Sequence, residues 1–175
     1  MLKGVADKYP VSHQLEDGAT VTCSLMTAAD LDALSKFLNR LTQTDLAYLQ
    51  ADITDPEIQK RWLKTAVVLC AYDPASLVGY ASVTVSDDRH RGEIRVNISK
   101  GYRSRGLGRI LIGEILNVSK LMSLKMLTAR MLSDQHGARA AFERLGFARK
   151  ELLQDYVDLP SVKCKDLLVM SSELG

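Results

Sequence analysis

The most restrictive feature of this sequence is a short loop with three glycines that joins a strand-like segment to a helix-like segment. Glu93–Ile98 is rich in β-branched residues, and apolar residues recur at helical spacing after Gly108. Gly101, Gly106 and Gly108 let the backbone approach a ligand closely, and the free N–H groups of a helix start favour an anion. Positions 89 to 109 hold seven basic residues and one acidic residue. The region therefore predicts a site for an anionic ligand, with the loop binding a pyrophosphate.

Two common phosphate-binding patterns do not fit this loop. A P-loop needs lysine and then serine or threonine after its second glycine, where this chain has Leu107 and Gly108. The Rossmann pattern needs a third glycine, where this chain has Leu111. A third pattern, Arg/Gln-x-x-Gly-x-Gly/Ala between a strand and a helix, is satisfied by Arg103, Gly106 and Gly108.

The remaining elements follow from turn signals, caps and hydrophobic periodicity. Thr27 and Asp30 predict a capped helix start, Asp55-Pro56 predicts a second one, and Gly146 ends a short helix capped by Ser133 or Asp134. The predicted strands are Val11–Leu15, Thr20–Leu25, Ala66–Tyr72, Leu77–Val85, Glu93–Ile98, Met126–Leu132, Ala148–Val157 and Lys163–Met170. This order predicts a mixed α/β sheet. Met126–Leu132 should run parallel to Glu93–Ile98, because a helix connects them.

Composition narrows the class of protein. A length of 175 residues fits one domain over residues 1–175. Cys23, Cys70 and Cys164 are neither paired nor clustered, so we expect reduced thiols, no disulfide framework and no metal site. The start of the chain lacks an apolar signal segment, and no apolar run approaches membrane-spanning length, so we expect a cytoplasmic protein without a membrane partner. A net charge of +2 and a basic run with only Tyr102 as an aromatic do not predict nucleic-acid binding.

In this context the loop resembles that of the GNAT superfamily of N-acetyltransferases. Residues 96–102 (VNISKGY) resemble the family's run into the loop, with Lys100 where proline is common. Residues 138–147 (ARAAFERLGF) resemble its AxxxYExxGF helix. The resemblance extends from about Thr20 to the C-terminus. It implies a GNAT-like α/β fold with a mostly antiparallel sheet of about seven strands, flanking helices and a V-shaped split between the fourth and fifth strands, Glu93–Ile98 and Met126–Leu132.

The resemblance also implies a co-substrate and a site. Acetyl-CoA would lie in the split, its pantetheine against Val96–Lys100 and its pyrophosphate on Arg103–Gly108, and a backbone N–H of the fourth strand would polarise the acetyl carbonyl. Gln135 and Phe142 would flank the thiol end. The cofactor-binding residues predicted in this way are Val96, Asn97, Ile98, Lys100, Arg103, Ser104, Arg105, Gly106, Leu107, Gly108, Arg109, Gln135 and Phe142. The implied reaction is direct transfer of the acetyl group to a primary amine of a small molecule or protein.

Glu93 is the predicted catalytic base, because family members with a glutamate base place it near the start of this strand. A carboxylate could take the proton of the attacking amine, although Glu93 could instead only pair with Arg91 or Arg95.

The general acid is an open question, because Phe142 stands where many family members have a proton-donating tyrosine. Tyr102, Tyr156, Ser133 and Cys164 are the candidate substitutes. This departure motivates an alternative hypothesis, a non-catalytic acyl-CoA-binding sensor on the same fold. The sequence leaves open the amine acceptor, the acyl-chain preference and the oligomeric state, including a homodimer.

Overall fold

A computed structural model describes residues 3–49 and 51–175 of the chain. Its strands are β1 (Val11–Gln14), β2 (Thr20–Leu25), β3 (Ala66–Asp73), β4 (Ser76–Val85), β5 (Arg91–Ile98), β6 (Met126–Leu132), β7 (Ala148–Leu153) and β8 (Leu167–Glu173). Its α-helices are α1 (Lys3–Ala6), α2 (Leu31–Leu38), α3 (Gln43–Leu46), α4 (Pro56–Thr65), α5 (Leu107–Leu121) and α6 (His136–Arg144). Two short 3-10 segments, Ala28–Asp30 and Lys100–Tyr102, precede α2 and α5.

The strands form one sheet in the order β1-β2-β3-β4-β5-β6-β8-β7. Neighbouring strands are antiparallel except β5 and β6, which are parallel and are connected through α5. The mixed, mostly antiparallel α/β architecture and the parallel pair are therefore confirmed. The sheet has eight strands rather than about seven, because both strands of the opening hairpin join it.

Helices cover the sheet on both sides. On one face, Leu107, Leu111 and Ile115 of α5 are buried in the main core cluster, which includes Ile94 of β5. On the other face, α2 and α4 bury a second cluster around Tyr80 of β4. The second cluster covers the β3–β4 part of the sheet, and on that face Glu93 and Arg95 of β5 and Arg130 of β6 remain partly exposed. No helix among residues 3–49 and 51–175 is long and apolar enough to cross a membrane.

The predicted helix ends are mostly confirmed. Thr27 and Asp30 form a reciprocal capping box, although α2 itself begins at Leu31, because the capped turn is 3-10. Asp55 caps α4, with Pro56 as its first residue. Gly146 follows the end of α6 with a left-handed φ of +92°. Just beyond it, the ring of Phe147 packs edge-on against that of Phe142, with 5.0 Å between the ring centroids.

The largest errors in the predicted boundaries lie at α6, β7 and β8. The N-cap of α6 is Gln135 rather than Ser133 or Asp134, and its side chain turns back to accept a hydrogen bond from the N–H of Leu132 at 3.1 Å. β7 ends at Leu153, and β8 runs from Leu167 to Glu173 instead of over Lys163–Met170. The shift follows from pairing, because β8 matches the whole of β6 from Leu132↔Leu167 to Met126↔Glu173. Residues 154–166 consequently form a loop.

The parallel pair separates halfway along its length. β5 and β6 pair from Arg91↔Met126 to Ile94↔Ala129. Beyond that point β5 continues to Ile98, while β6 continues to Leu132 in contact with β8. The predicted split between these two strands is therefore present, and it opens toward the start of α5.

Candidate active site

A cavity of about 590 Å³ occupies the split between β5 and β6. Its walls come from the end of β5, the end of β6, the loop before α5, the first turns of α5 and the face of α6. Of the predicted cofactor-binding residues, Val96, Asn97, Ile98, Arg103, Ser104, Gly106, Gly108, Arg109, Gln135 and Phe142 line it. Lys100, Arg105 and Leu107 lie outside this lining, and Leu107 is fully buried in the core.

The start of α5 provides donors for an anion. Gly106 is the N-cap with φ +87°, a left-handed conformation that glycine adopts without strain, and among the described residues no side chain caps this helix. The first intrahelical bond runs from the Ile110 N–H to the Gly106 carbonyl at 3.2 Å. The N–H groups of Leu107, Gly108 and Arg109 precede it and so lack helical acceptors. With the helix dipole, this end fits a phosphate group.

The two arginines of the loop are held by other parts of the chain. Arg103 donates to the Ile98 carbonyl at 3.1 Å and to the Asp45 carboxylate at 3.0 Å. Arg105 donates a hydrogen bond to the Asp17 carboxylate at 2.6 Å, and this bond lowers the pKa of that carboxyl. The Arg105 guanidinium carbon also lies 4.4 Å from the centroid of the Tyr102 ring. Both side chains therefore fix the shape of the loop, and a direct phosphate contact by either stays a prediction.

Glu16, which the sequence analysis did not single out, places a carboxylate beside the start of α5. Its N–H donates to the Arg105 carbonyl at 3.1 Å, and its Oε1 lies 3.7 Å from Nη2 of Arg109. A Cβ added to Gly106 would meet this Oε1 at 3.1 Å. The Glu16 side chain is 60% exposed, so it can rotate toward solvent when an anion binds. No local motif marks this residue, because the turn of the opening hairpin reaches the loop only in the folded chain.

Glu93 lies on the opposite face of the sheet from α5. Because Ile94 packs under α5, its neighbours Glu93 and Arg95 point the other way. There they line a second cavity of about 380 Å³, whose lining also includes Arg130. Glu93 Oε1 lies 3.7 Å from Arg95 Nη2, and its Oε2 lies 3.9 Å from Arg130 Nε. Arg130 lines both cavities, which places Glu93 next to the junction between them.

Tyr48 is a site residue that sequence reasoning missed. It lines the first cavity, is 9% exposed, and packs with Leu132, Val157 and Val162 over the open end of the split. Burial raises the pKa of its hydroxyl to about 12; Arg95 opposes this rise, and the Asp45 and Glu93 carboxylates add to it. Tyr48 follows the short helix α3 in an unremarkable stretch of sequence, and only long-range packing reveals it.

The four candidate proton donors named from the sequence lie outside the lining of the first cavity. Tyr102 donates to Asp73 at 2.8 Å, and the Ser133 hydroxyl lies 3.2 Å from the Cys164 thiol. Tyr156 lies in the loop after β7 and is 37% exposed. Phe142 itself lines the cavity and is 5% exposed.

A mixed sheet whose parallel pair splits in front of an uncapped helix start is the arrangement expected of a GNAT-like acyltransferase. The chain belongs to the acetyltransferase (GNAT) family: the sequence model of that family matches residues 34–147, more than half of the 175 residues. It is therefore an acetyltransferase. A search of curated protein sequences gave no significant match.

Solved structures of GNAT proteins are similar over most of their length. A ribosomal-protein-alanine N-acetyltransferase from Brucella melitensis is 26% identical, with 86% of this chain and 98% of that one covered and a TM-score of 0.75. A phosphinothricin acetyltransferase from Sinorhizobium meliloti, solved with acetyl-CoA, is 19% identical, with 89% of each chain covered and a TM-score of 0.77. A spermidine N-acetyltransferase chimera from Vibrio cholerae and hSSAT is 16% identical, with 88% of this chain and 95% of that one covered and a TM-score of 0.71. Because their names specify three chemically different acceptors, the shared fold does not identify the acceptor of this chain.

Proposed function

We propose that this chain, as one domain over residues 1–175 in the cytoplasm, transfers the acetyl group of acetyl-CoA to a primary amine by direct attack. The observation that carries the proposal is the cavity in the split, which leads from the end of β5 to the uncapped start of α5. A long, narrow acyl donor with a pyrophosphate at one end matches this arrangement.

The residues present fit acetyl-CoA. The pyrophosphate would accept hydrogen bonds from the N–H groups of Gly108 and Arg109, which line the cavity. Among the described strands, β5 has no partner on its β6 side from Arg95 to Ile98. Apart from the Ile98 carbonyl, which Arg103 contacts, the peptide groups on that side would be available to the amides of pantetheine. Phe142 and Gln135 would bound the thiol end, since both line the cavity on the side of α6.

In the reaction, the amine nitrogen forms a bond to the thioester carbonyl carbon, the C–S bond breaks, the amine loses a proton and the thiolate gains one. Keeping a lysine-like amine neutral at pH 7 costs about 4 to 5 kcal/mol, given a pKa of about 10.4. Glu93 would accept the amine proton. Because Glu93 lies outside the lining of the first cavity, the proton would pass through water near Arg130.

Titration calorimetry with acetyl-CoA, followed by thiol release assays with a panel of amines, tests this function. We expect acetyl-CoA to bind with a stoichiometry of one and CoA release to depend on an amine acceptor. A folded protein that binds no acetyl-CoA would refute the assignment of the cavity. Acetyl-CoA binding followed by acetylation of hydroxyl acceptors alone would refute the proposal that the acceptor is an amine.

A further inference from the structure

We propose that the acceptor is a small molecule that carries an anionic group, a carboxylate or a tetrahedral oxyanion such as phosphate, in addition to its amine. Arg95 and Arg130 would bind this group in the second cavity. The inference rests on the proposed function and names the substrate class for that same site.

The second cavity carries an excess of positive charge. Its lining contains four basic side chains, Arg91, Arg95, Arg130 and Lys150, and one acidic side chain, Glu93. The remaining lining includes hydroxyl groups from β4 and β6. A cavity of this composition attracts an anion and repels a polycation such as a polyamine.

The two central arginines are poorly paired within the chain. Their side chains are only 25% (Arg95) and 35% (Arg130) exposed, and each lies near Glu93 at a distance too long for a hydrogen bond, 3.7 Å and 3.9 Å. Within residues 3–49 and 51–175, the buried Nε of Arg130 has no hydrogen-bond partner. Buried donors of this kind are nearly always satisfied, so an acceptor from outside the chain is expected, either a water molecule or a group of the ligand.

The arginines that hold the loop before α5 pair closely with carboxylates. Arg105, which is also 25% exposed, contacts Asp17 at 2.6 Å, and Arg103 contacts Asp45 at 3.0 Å. The loose geometry at Arg95 and Arg130 therefore distinguishes them from the arginines that hold the loop. A planar guanidinium with free N–H groups is well suited to a carboxylate or phosphate.

An irregularity of β7 brings a further cation to the rim of the cavity. The register of β7 and β8 shifts between Arg149 and Glu151, so that Lys150 is the extra residue of a bulge. Bulges commonly redirect a side chain, and Lys150 contributes to the cavity lining. Lys150 is exposed, and we expect it to steer the acceptor more than to anchor it.

The position of Arg130 connects this anion site to the chemistry. Arg130 lines both cavities. An acceptor whose anionic group contacts Arg95 and Arg130 could thus place its amine at the junction, beside Glu93 and close to Tyr48. The 380 Å³ of the second cavity suits a molecule the size of an amino acid.

The test uses matched acceptors that differ only in the anionic group: amino acids and their carboxamides, and O-phosphoethanolamine and ethanolamine, with spermidine as a polycation. In the full-length protein loaded with CoA, calorimetry should show binding of the anionic member of at least one pair and weaker binding of its neutral partner. With acetyl-CoA, kcat/KM should favour that anionic member by about 10- to 100-fold, the size of a charge-assisted contact.

Variants assign the preference to the two arginines. Arg130→Gln and Arg95→Gln should each remove most of the preference through KM, while Arg130→Lys should retain part of it. The acetyl-CoA affinity of Arg95→Gln should stay unchanged, because Arg95 lies outside the lining of the first cavity. Arg40→Gln, in the exposed turn after α2 and outside both cavity linings, is the charge-matched control and should retain the full preference. Equal use of neutral and anionic members, a preference for spermidine, no binding of any anionic member, or a preference that survives both Gln variants would overturn the proposal. Loss of acetyl-CoA binding in the wild type would instead refute the proposed function.

Discussion

Arg103, in the loop before α5, donates a hydrogen bond of 3.0 Å to Asp45 in α3, which lies 58 positions earlier in the sequence. The side chain of Asp45 is 10% exposed, and its second oxygen accepts hydrogen bonds from the N–H and hydroxyl of Thr42. This pair ties the loop before α5 to the segment that carries Tyr48. The start of α5 and the residues over the open end of the split are therefore joined by a direct hydrogen bond.

Replacing Arg103 by glutamine should destabilise the protein, because it leaves the nearly buried Asp45 oxygen without its cationic partner. We expect the free energy of unfolding in urea to fall by about 1 to 3 kcal/mol. A double-mutant cycle with Asp45→Asn should give a coupling of about 1 kcal/mol. Arg105→Gln is the control from the same loop, and its loss should be much smaller, because Asp17 is 47% exposed. Equal losses for the two arginines would contradict a special role for the Asp45 pair.

Gly108→Val should impair binding of acetyl-CoA while the fold persists. Gly108 lies in the first turn of α5 and lines the cavity, so a branched side chain would occupy space next to the free N–H groups. A Cβ there also approaches Cδ1 of Ile98 at 3.2 Å, the far end of a flexible side chain that can yield. We expect at least a tenfold rise in the calorimetric Kd.

The matched control for this prediction is Gly113→Val in the same helix. A Cβ at Gly113 meets nothing within 4 Å, so this variant changes helix propensity without changing the cavity. Circular dichroism should show both variants folded. If Gly113→Val weakened acetyl-CoA binding as much as Gly108→Val, the effect would belong to the helix and not to the loop.

Glu93→Gln should lower turnover at neutral pH by about 100-fold, the size of a typical general-base contribution. The deficit should shrink as the pH rises toward the pKa of the amine, about 10.4 for a lysine-like acceptor, because more of the acceptor is then already neutral. The affinity for acetyl-CoA should not change. Glu57→Gln, on the exposed surface of α4, controls for the lost charge. Normal turnover of Glu93→Gln at pH 7 would leave Glu93 with a role only in charge balance near Arg95 and Arg130.

Tyr48→Phe should lower kcat more than it changes KM if this hydroxyl delivers the proton to the departing thiolate. A pKa of about 12 means that the hydroxyl keeps its proton throughout the neutral and mildly alkaline range, where a donor is needed. Kinetics from pH 6 to pH 10 would show whether the loss in kcat is constant over this range, as the raised pKa requires.

Phe142→Tyr provides the complementary variant. In the wild-type background we expect a modest change in turnover if Tyr48 already supplies the proton. In the Tyr48→Phe background the new hydroxyl should restore part of the activity, since Phe142 lines the same cavity. A large gain from Phe142→Tyr alone would instead mean that the wild-type enzyme lacks an efficient proton donor.

Much of the fold was predictable because it depends on short-range rules. The Thr27–Asp30 capping box, the Asp55-Pro56 helix start and the left-handed Gly146 each involve residues within a few positions of one another. The parallel arrangement of β5 and β6 followed from the single helix between them. The end of β8 was not predictable in the same way, because its length is set by pairing with β6 and not by its own composition.

The sequence by itself determined the loop and helix start to which we assign the anion-binding end of the site. The glycines and the uncapped start of α5 act through backbone conformation, which neighbouring residues in the chain control. Only the tertiary structure decided the rest: that Arg103 pairs with Asp45, that Tyr48 lies in the cavity, and that Glu93, Arg95 and Arg130 meet on the face away from α5. These contacts join positions tens of residues apart. They depend on strand register and on how loops pack over the split, which no local pattern in the sequence encodes.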